Sequence, residues 1–99
     1  MPDHPPQGFD WDGTKATLNV RKHRAAFEEA VTVFNDPIAT ARDDDYHSWD
    51  EQRLLVVGRS SMGRLLAVSY TMRGDTTRII NARPANAEER QAYEQDASD

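Results

Sequence analysis

RLLVVGR (53–59), RLLAVSYTMR (64–73) and TTRIINAR (76–83) follow one another, separated only by SSMG (60–63) and by the dipeptide Gly74-Asp75. Each run is rich in β-branched and aromatic residues, and each is too short for a buried helix, so the pattern predicts three consecutive antiparallel strands. A two-residue Gly-X link is the signature of a type II′ hairpin turn, and a turn of that length sets the strand register. With Arg73 opposite Thr76, the predicted pairs are Thr71 with Arg78, Tyr70 with Ile79, Ser69 with Ile80 and Leu66 with Arg83. Arg73, Thr71 and Arg78 then share one face.

Upstream, FDWD (9–12) alternates apolar and polar and reads as a short strand. Asp12 is placed to cap a helix over 13–23. A second helix follows, because Phe27, Ala30, Val31 and Phe34 recur at i, i+3, i+4 and i+7, and Asp36-Pro37 ends it. Residues 38–42 read as a strand entering the acidic loop DDDYHSWDE (43–51). Downstream, Asn86 with Glu89 three residues later forms a capping box, predicting a closing helix over 87–95 that carries Arg90 and Tyr93. The order is that of an α+β fold in which helices cover one face of an antiparallel sheet and leave the other for a ligand. The proline-rich segment 1–8 is expected to be disordered and 96–99 (DASD) to fray, leaving a single domain at 9–95.

A chain of 99 residues supports one domain with a small core. Charged residues make up 29% and the mean hydropathy is −0.82, so a globular, water-facing molecule is expected. No apolar run is long enough to span a bilayer, and MPDHPPQG lacks the basic start and apolar segment of a signal peptide, which points to a cytoplasmic location. The chain has no cysteine, which removes disulfides, thiolate metal sites and cysteine nucleophiles.

Charge is unevenly placed. Residues 53–83 carry Arg53, Arg59, Arg64, Arg73, Arg78 and Arg83 against the single acid Asp75, a local +5 in a chain of net charge −5, so the remainder sums to −10. Arginine pairs bidentately with phosphate oxygens, and a row of arginines on strands suits a phosphate-tracking surface; the plain alternative is that surface strands carry charge against aggregation. Walker, dinucleotide, HExxH and Gly-x-Ser-x-Gly signatures are absent, and no metal ligand set or cofactor motif is evident. Arginine, lysine, histidine, tyrosine and carboxylates remain, the groups that metal-free RNA cleavage needs: a base for the 2′-hydroxyl, cations for the pentavalent phosphate, and an acid for the leaving 5′-oxygen.

His23, beside Lys22, is the candidate for proton transfer, since histidine is the side chain suited to that task near neutrality. Its competing reading is a packed ring at the end of a helix. Arg53, Arg73, Arg78 and Arg83 are the phosphate-ligand candidates. Tyr70, Tyr93 and Arg90 could contact RNA by stacking, proton donation or charge, although Tyr70 opposite Ile79 also fits the core. The loop 43–51, with His47 and Trp49, reads as a solvated loop or docking surface, because it lacks the spacing of a cation site.

Phe9, Trp11-Asp12, Lys15, Asn19, Lys22-His23, Phe27-Glu28-Glu29-Ala30, Phe34, Asp36, Arg53, Gly58, Tyr70-Thr71, Arg73, Ile79-Ile80, Ala82-Arg83, Glu89-Arg90 and Tyr93 stand in an order and spacing that resembles the BrnT family of bacterial type II toxin–antitoxin toxins. The resemblance covers residues 9–93. It implies a RelE-like ribonuclease fold, RNA cleavage that arrests translation, and a tight complex with a BrnA-type antitoxin whose ribbon-helix-helix domain binds operator DNA. The toxin reaches that DNA only through its antitoxin. The catalytic set expected on this reading is His23, Lys22, Arg53, Arg73, Arg83 and Tyr93, with Arg78, Tyr70 and Arg90 binding RNA. Two positions depart from the family pattern: Arg24 stands where glycine is usual, and Asn81 where serine is frequent.

Overall fold

A computed structural model describes residues 6–44 and 51–98. Its elements run β1 (Phe9–Asp10), α1 (Gly13–His23), α2 (Phe27–Val33), β2 (Thr40–Asp43), β3 (Leu54–Arg59), β4 (Leu65–Arg73), β5 (Thr76–Pro84) and α3 (Ala87–Ser98). The strands form one sheet in the order β1-β5-β4-β3-β2, with β1 parallel to β5 and every other pair antiparallel. This is the expected α+β layout.

At the β4–β5 turn Gly74 takes φ +61 while Asp75 stays out of the left-handed region, the combination a type II′ turn requires. The pairs Arg73–Thr76, Thr71–Arg78 and Tyr70–Ile79 form as predicted. Beyond them the register differs. A bulge inserts Ile80, so that Ser69 faces Asn81 and Leu66 faces Pro84, in place of the expected Ser69–Ile80 and Leu66–Arg83 pairs. The cause lies in burial: without the extra residue, alternation from Ile79 would turn Arg83 into the core. With it, Ala82 is fully buried and Arg83 emerges on the opposite face.

Phe27, Ala30 and Val33 of α2 pack on Val56, Leu66, Val68, Tyr70, Ile79 and Ala82 to make the core. Edge-on ring contacts of Phe34 with Phe9 (5.3 Å) and with Tyr70 (5.0 Å) close it at one end. Asn19 ties α1 to the sheet: its buried amide donates to the Ala25 and Ala82 carbonyls, both at 2.8 Å. Gly58 is required where β3 meets the turn after α2, because a Cβ there would lie 2.7 Å from Ala39 Cβ and 2.9 Å from Val33 Cγ1.

The second sheet face is not left open throughout, which corrects the expectation of helices on one side only. Strand alternation turns Leu55 and Val57 away from α2, and α3 crosses over them with Ala92 and Tyr93 lining the same groove. The capping box forms reciprocally: Glu89 N–H donates to Asn86 Oδ1 (2.8 Å) and Asn86 N–H to Glu89 Oε1 (2.9 Å). Residues 96–98, expected to fray, are the last residues of α3; Asp99 lies outside the described residues. Within the segment 1–8, expected to be disordered, Pro6 and Gly8 carbonyls accept from Phe9 and Thr77 N–H groups, while residues 1–5 lie outside the described residues. So do residues 45–50, with His47 and Trp49 of the acidic loop.

Candidate functional site

On the part of the second face that α3 leaves uncovered, a cleft of about 560 Å³ gathers basic groups from four elements. Lys15 comes from the first turn of α1, Arg42 from β2, Arg53 from the residue before β3, and Arg83 from β5. Leu55, Ser69, Ile80 and Asn81 form its sheet wall, with Asp44, Asn86 and Glu89 at its edges. The bulge builds this wall, since it is the bulge that brings Arg83 to this side. Asp12 orients the Lys15 end by accepting from the Lys15 N–H at 2.9 Å.

Arg83 is held by Glu89. Its two terminal nitrogens donate to the two Glu89 oxygens at 2.7 and 2.9 Å, the fork-to-fork geometry of a strong ion pair. Those bonds hold the buried Glu89 carboxyl below the usual carboxylate range, against burial, which pushes it up; the Asn86 N–H and the Arg42 charge assist. The same bonds raise the Arg83 pKa, with Asp44 adding a smaller charge effect. One of the cleft's main cations is thus already engaged by a carboxylate.

The structure brings Arg53 and Arg83 together in the cleft, and the other predicted site residues do not line it, although Arg73, Thr71 and Arg78 share one sheet face as the register predicts. Arg78 donates to Asp10 of β1 at 3.1 Å, and Arg73 reaches Glu51 at 3.4 Å near the hairpin end. Their expected companion Thr71 is buried, its hydroxyl donating to the Gln52 carbonyl at 2.7 Å. Tyr70, expected to touch RNA, lies in the core against Phe34, where burial raises its pKa. Tyr93, expected among the catalytic groups, donates its hydroxyl to Asp36 Oδ2 at 2.7 Å, and its ring lies 5.6 Å below the Arg59 guanidinium. Burial and the neighbouring Asp36 carboxylate raise its pKa, so its proton is committed to holding α3 in place. Arg90 is exposed on α3. Lys22 is exposed and His23 half-buried at the end of α1, neither of them among the residues that line the cleft.

Three polar anchors hold this arrangement, residues that the sequence placed in the family pattern without a role. Burial raises the Asp36 carboxyl, but donation from the Arg59 N–H (2.7 Å), the Ile38 N–H (2.9 Å) and Tyr93 outweighs it, and the pKa falls below its usual value. Glu29 is clasped by Arg64 and by the Ser60 hydroxyl at 2.6 Å. Asn19 is the third. The family pattern marked all three positions, but a polar residue interrupting or flanking an apolar helical face is too common for its bonding partners to be read from the sequence. No group of three or more histidine or carboxylate side chains suited to a metal ion occurs among the described residues. No helix among them is long and apolar enough to cross a membrane.

Fold and cleft together define a small α+β protein whose sheet presents a cation-walled groove beside its C-terminal helix. The profile of the family described as "Ribonuclease toxin, BrnT, of type II toxin-antitoxin system" matches residues 11–89. The chain belongs to that family of ribonuclease toxins. Among solved structures it is similar to the Brucella abortus ribonuclease toxin BrnT, with a TM-score of 0.58 over 79% of this chain and 95% of that one at 21% identity, a likeness of fold. No curated protein matches the chain.

Proposed function

We propose that this toxin is a metal-independent endoribonuclease of RelE-like type that binds RNA phosphates in the cleft of Lys15, Arg42, Arg53 and Arg83 and arrests translation. The observation that supports it most is the convergence of four cations from separate elements on one groove of nucleotide size. In this reading His23 with Lys22 transfers the protons at the cleaved phosphate, from the attacking 2′-oxygen and to the leaving 5′-oxygen. They stand about 12 Å beyond Lys15 along the α1 axis, at about 1.5 Å per residue, so the RNA strand runs alongside α1 with the cleaved phosphate at His23 and its neighbours held by the cleft cations, which position it. A His23→Gln variant should bind RNA with unchanged affinity and lose cleavage; unchanged cleavage would remove His23 from the mechanism.

The antitoxin in this reading is a BrnA-type ribbon-helix-helix protein that lays an acidic or amphipathic segment over the cleft and competes with phosphate for the same donors. Hydrogen exchange with and without antitoxin tests this: protection of residues 64–83 is expected. Protection confined to the neighbourhood of the 43–51 loop would contradict occlusion.

A second reading has a specific observation behind it. Arg64, Arg73, Arg78 and Arg83 each pair with a carboxylate, in a chain of net charge −5. Those pairings suit a catalytically idle module that holds its antitoxin and helps repress a shared promoter. Induced expression with and without the antitoxin, followed by RNA integrity analysis, separates the readings: RNA loss only without antitoxin supports the enzyme, and intact RNA in both supports the module.

A further inference from the structure

We infer that Asn81 makes the sheet wall of the cleft a nucleobase subsite selective for adenine, an inference that rests on the cleft being the RNA site. Asn19 sets the orientation of Asn81. Its Nδ2 donates to two backbone carbonyls, those of Ala25 and Ala82, each at 2.8 Å, so the opposite side of its amide must be the oxygen. That oxygen accepts from the Ala82 N–H and from Asn81 Nδ2, both at 3.2 Å. Two carbonyls buried with Asn19 therefore fix not only the Asn19 amide but that of Asn81, which has to present nitrogen inward. The Asn81 Oδ1 is left without a hydrogen-bond partner among the described residues, and it is not among their buried, unsatisfied atoms, so it meets solvent where Asn81 lines the cleft.

A side-chain amide set in this way offers one acceptor and its second N–H to whatever enters. That pair matches an exocyclic amino donor beside a ring-nitrogen acceptor, the edge that adenine presents to asparagine; cytosine carries the same pair on a single ring, and the two-ring base covers more of the apolar wall. The surroundings suit a base. Leu55 and Ile80 provide apolar contact for its flat face, Ser69 lies across the strand pair from Asn81, and Arg53 and Arg83 stand where the flanking phosphates would lie. The bulge opposite Ser69 and Tyr70 is what turns Asn81 to this position, and bulges commonly re-aim side chains beside functional sites.

The test is equilibrium binding of fluorescent oligouridylates carrying one central adenosine, one central purine ribonucleoside that lacks the amino group, one central cytidine, one central guanosine, or uridine throughout. The full-length chain should bind the adenosine oligomer about tenfold more tightly than the purine one, the size expected of a bidentate base contact. Asn81→Ser should reduce that ratio to below about twofold. Equal binding of adenosine and purine oligomers by the unaltered chain, binding of the cytidine or guanosine oligomer as tight as that of the adenosine one, or an undiminished ratio in Asn81→Ser would each overturn adenine selection with the RNA site itself intact. Binding of none of the oligomers would instead overturn the RNA-site reading, and this inference with it.

Discussion

Arg24 closes α1 in the left-handed conformation, at φ 56, and is the one non-glycine residue with positive φ among those described. A β-carbon there costs about 1–2 kcal/mol, and glycine is what a helix end of this shape ordinarily carries. The position uses only the Arg24 backbone: its N–H donates to the Val20 carbonyl, and its carbonyl accepts from Arg64 at 2.9 Å. Arg24→Gly keeps both bonds and should stabilise the fold by about 1 kcal/mol, after subtracting the extra chain entropy glycine loses. Thermal unfolding of the two proteins checks this; a lower melting temperature for the glycine variant would mean that the arginine side chain contributes more than the strained backbone costs.

At the scale of elements, α3 is held at few points, so its attachment should depend on pH. Glu89 and Asp36, the carboxylates to which it owes its docking, both have pKa values below their ordinary 4.5 and 3.8. A carboxyl whose folded pKa is depressed stabilises the fold above its ordinary pKa and loses that contribution as pH falls through the folded value. Stability should therefore hold from neutrality to about pH 4.5 and decline below it, with a smaller decline in Glu89→Gln. A melting temperature that stays flat or rises from pH 5 to pH 3 would contradict this account of α3.

The same scale shows how far the sequence could be read. The II′ turn, the caps of α1 and α3 and the period of α2 are local codes, and each predicted its element closely. The bulge at Ile80 is not local: it satisfies the burial of Ala82 and the exposure of Arg83 at once, and the clue was present, since the unbulged register would have sent an arginine inward. The path of α3 over Leu55 and Val57 was hidden because only Glu89 and Tyr93 of that helix are buried. Ion pairs such as Arg78–Asp10 and Arg83–Glu89 join residues distant in the chain or across a turn, so a count of arginines overstated the free positive charge.

For the whole molecule, the division between a +5 strand region and a −10 remainder places RNA binding under competition from the chain's own acids. If the cleft cations carry the phosphates, replacing Arg53 and Arg83 with alanine should weaken RNA binding and lower the salt-dependence slope by about 0.7 for each lost contact. Arg73→Ala and Arg78→Ala, at residues that do not line the cleft, should lower that slope less. Equal effects from both pairs would mean that the strand region acts through diffuse charge.

The most direct test of the ribonuclease account is RNA cleavage by the purified, antitoxin-free toxin in EDTA, with the Arg53→Ala/Arg83→Ala variant alongside. The account predicts cleavage in the chelator by the unaltered protein and a loss of about a hundredfold in the variant, the scale of misplacing a substrate by about 1 Å. Cleavage that stops in EDTA and returns with magnesium, or that proceeds undiminished without the two arginines, would contradict it.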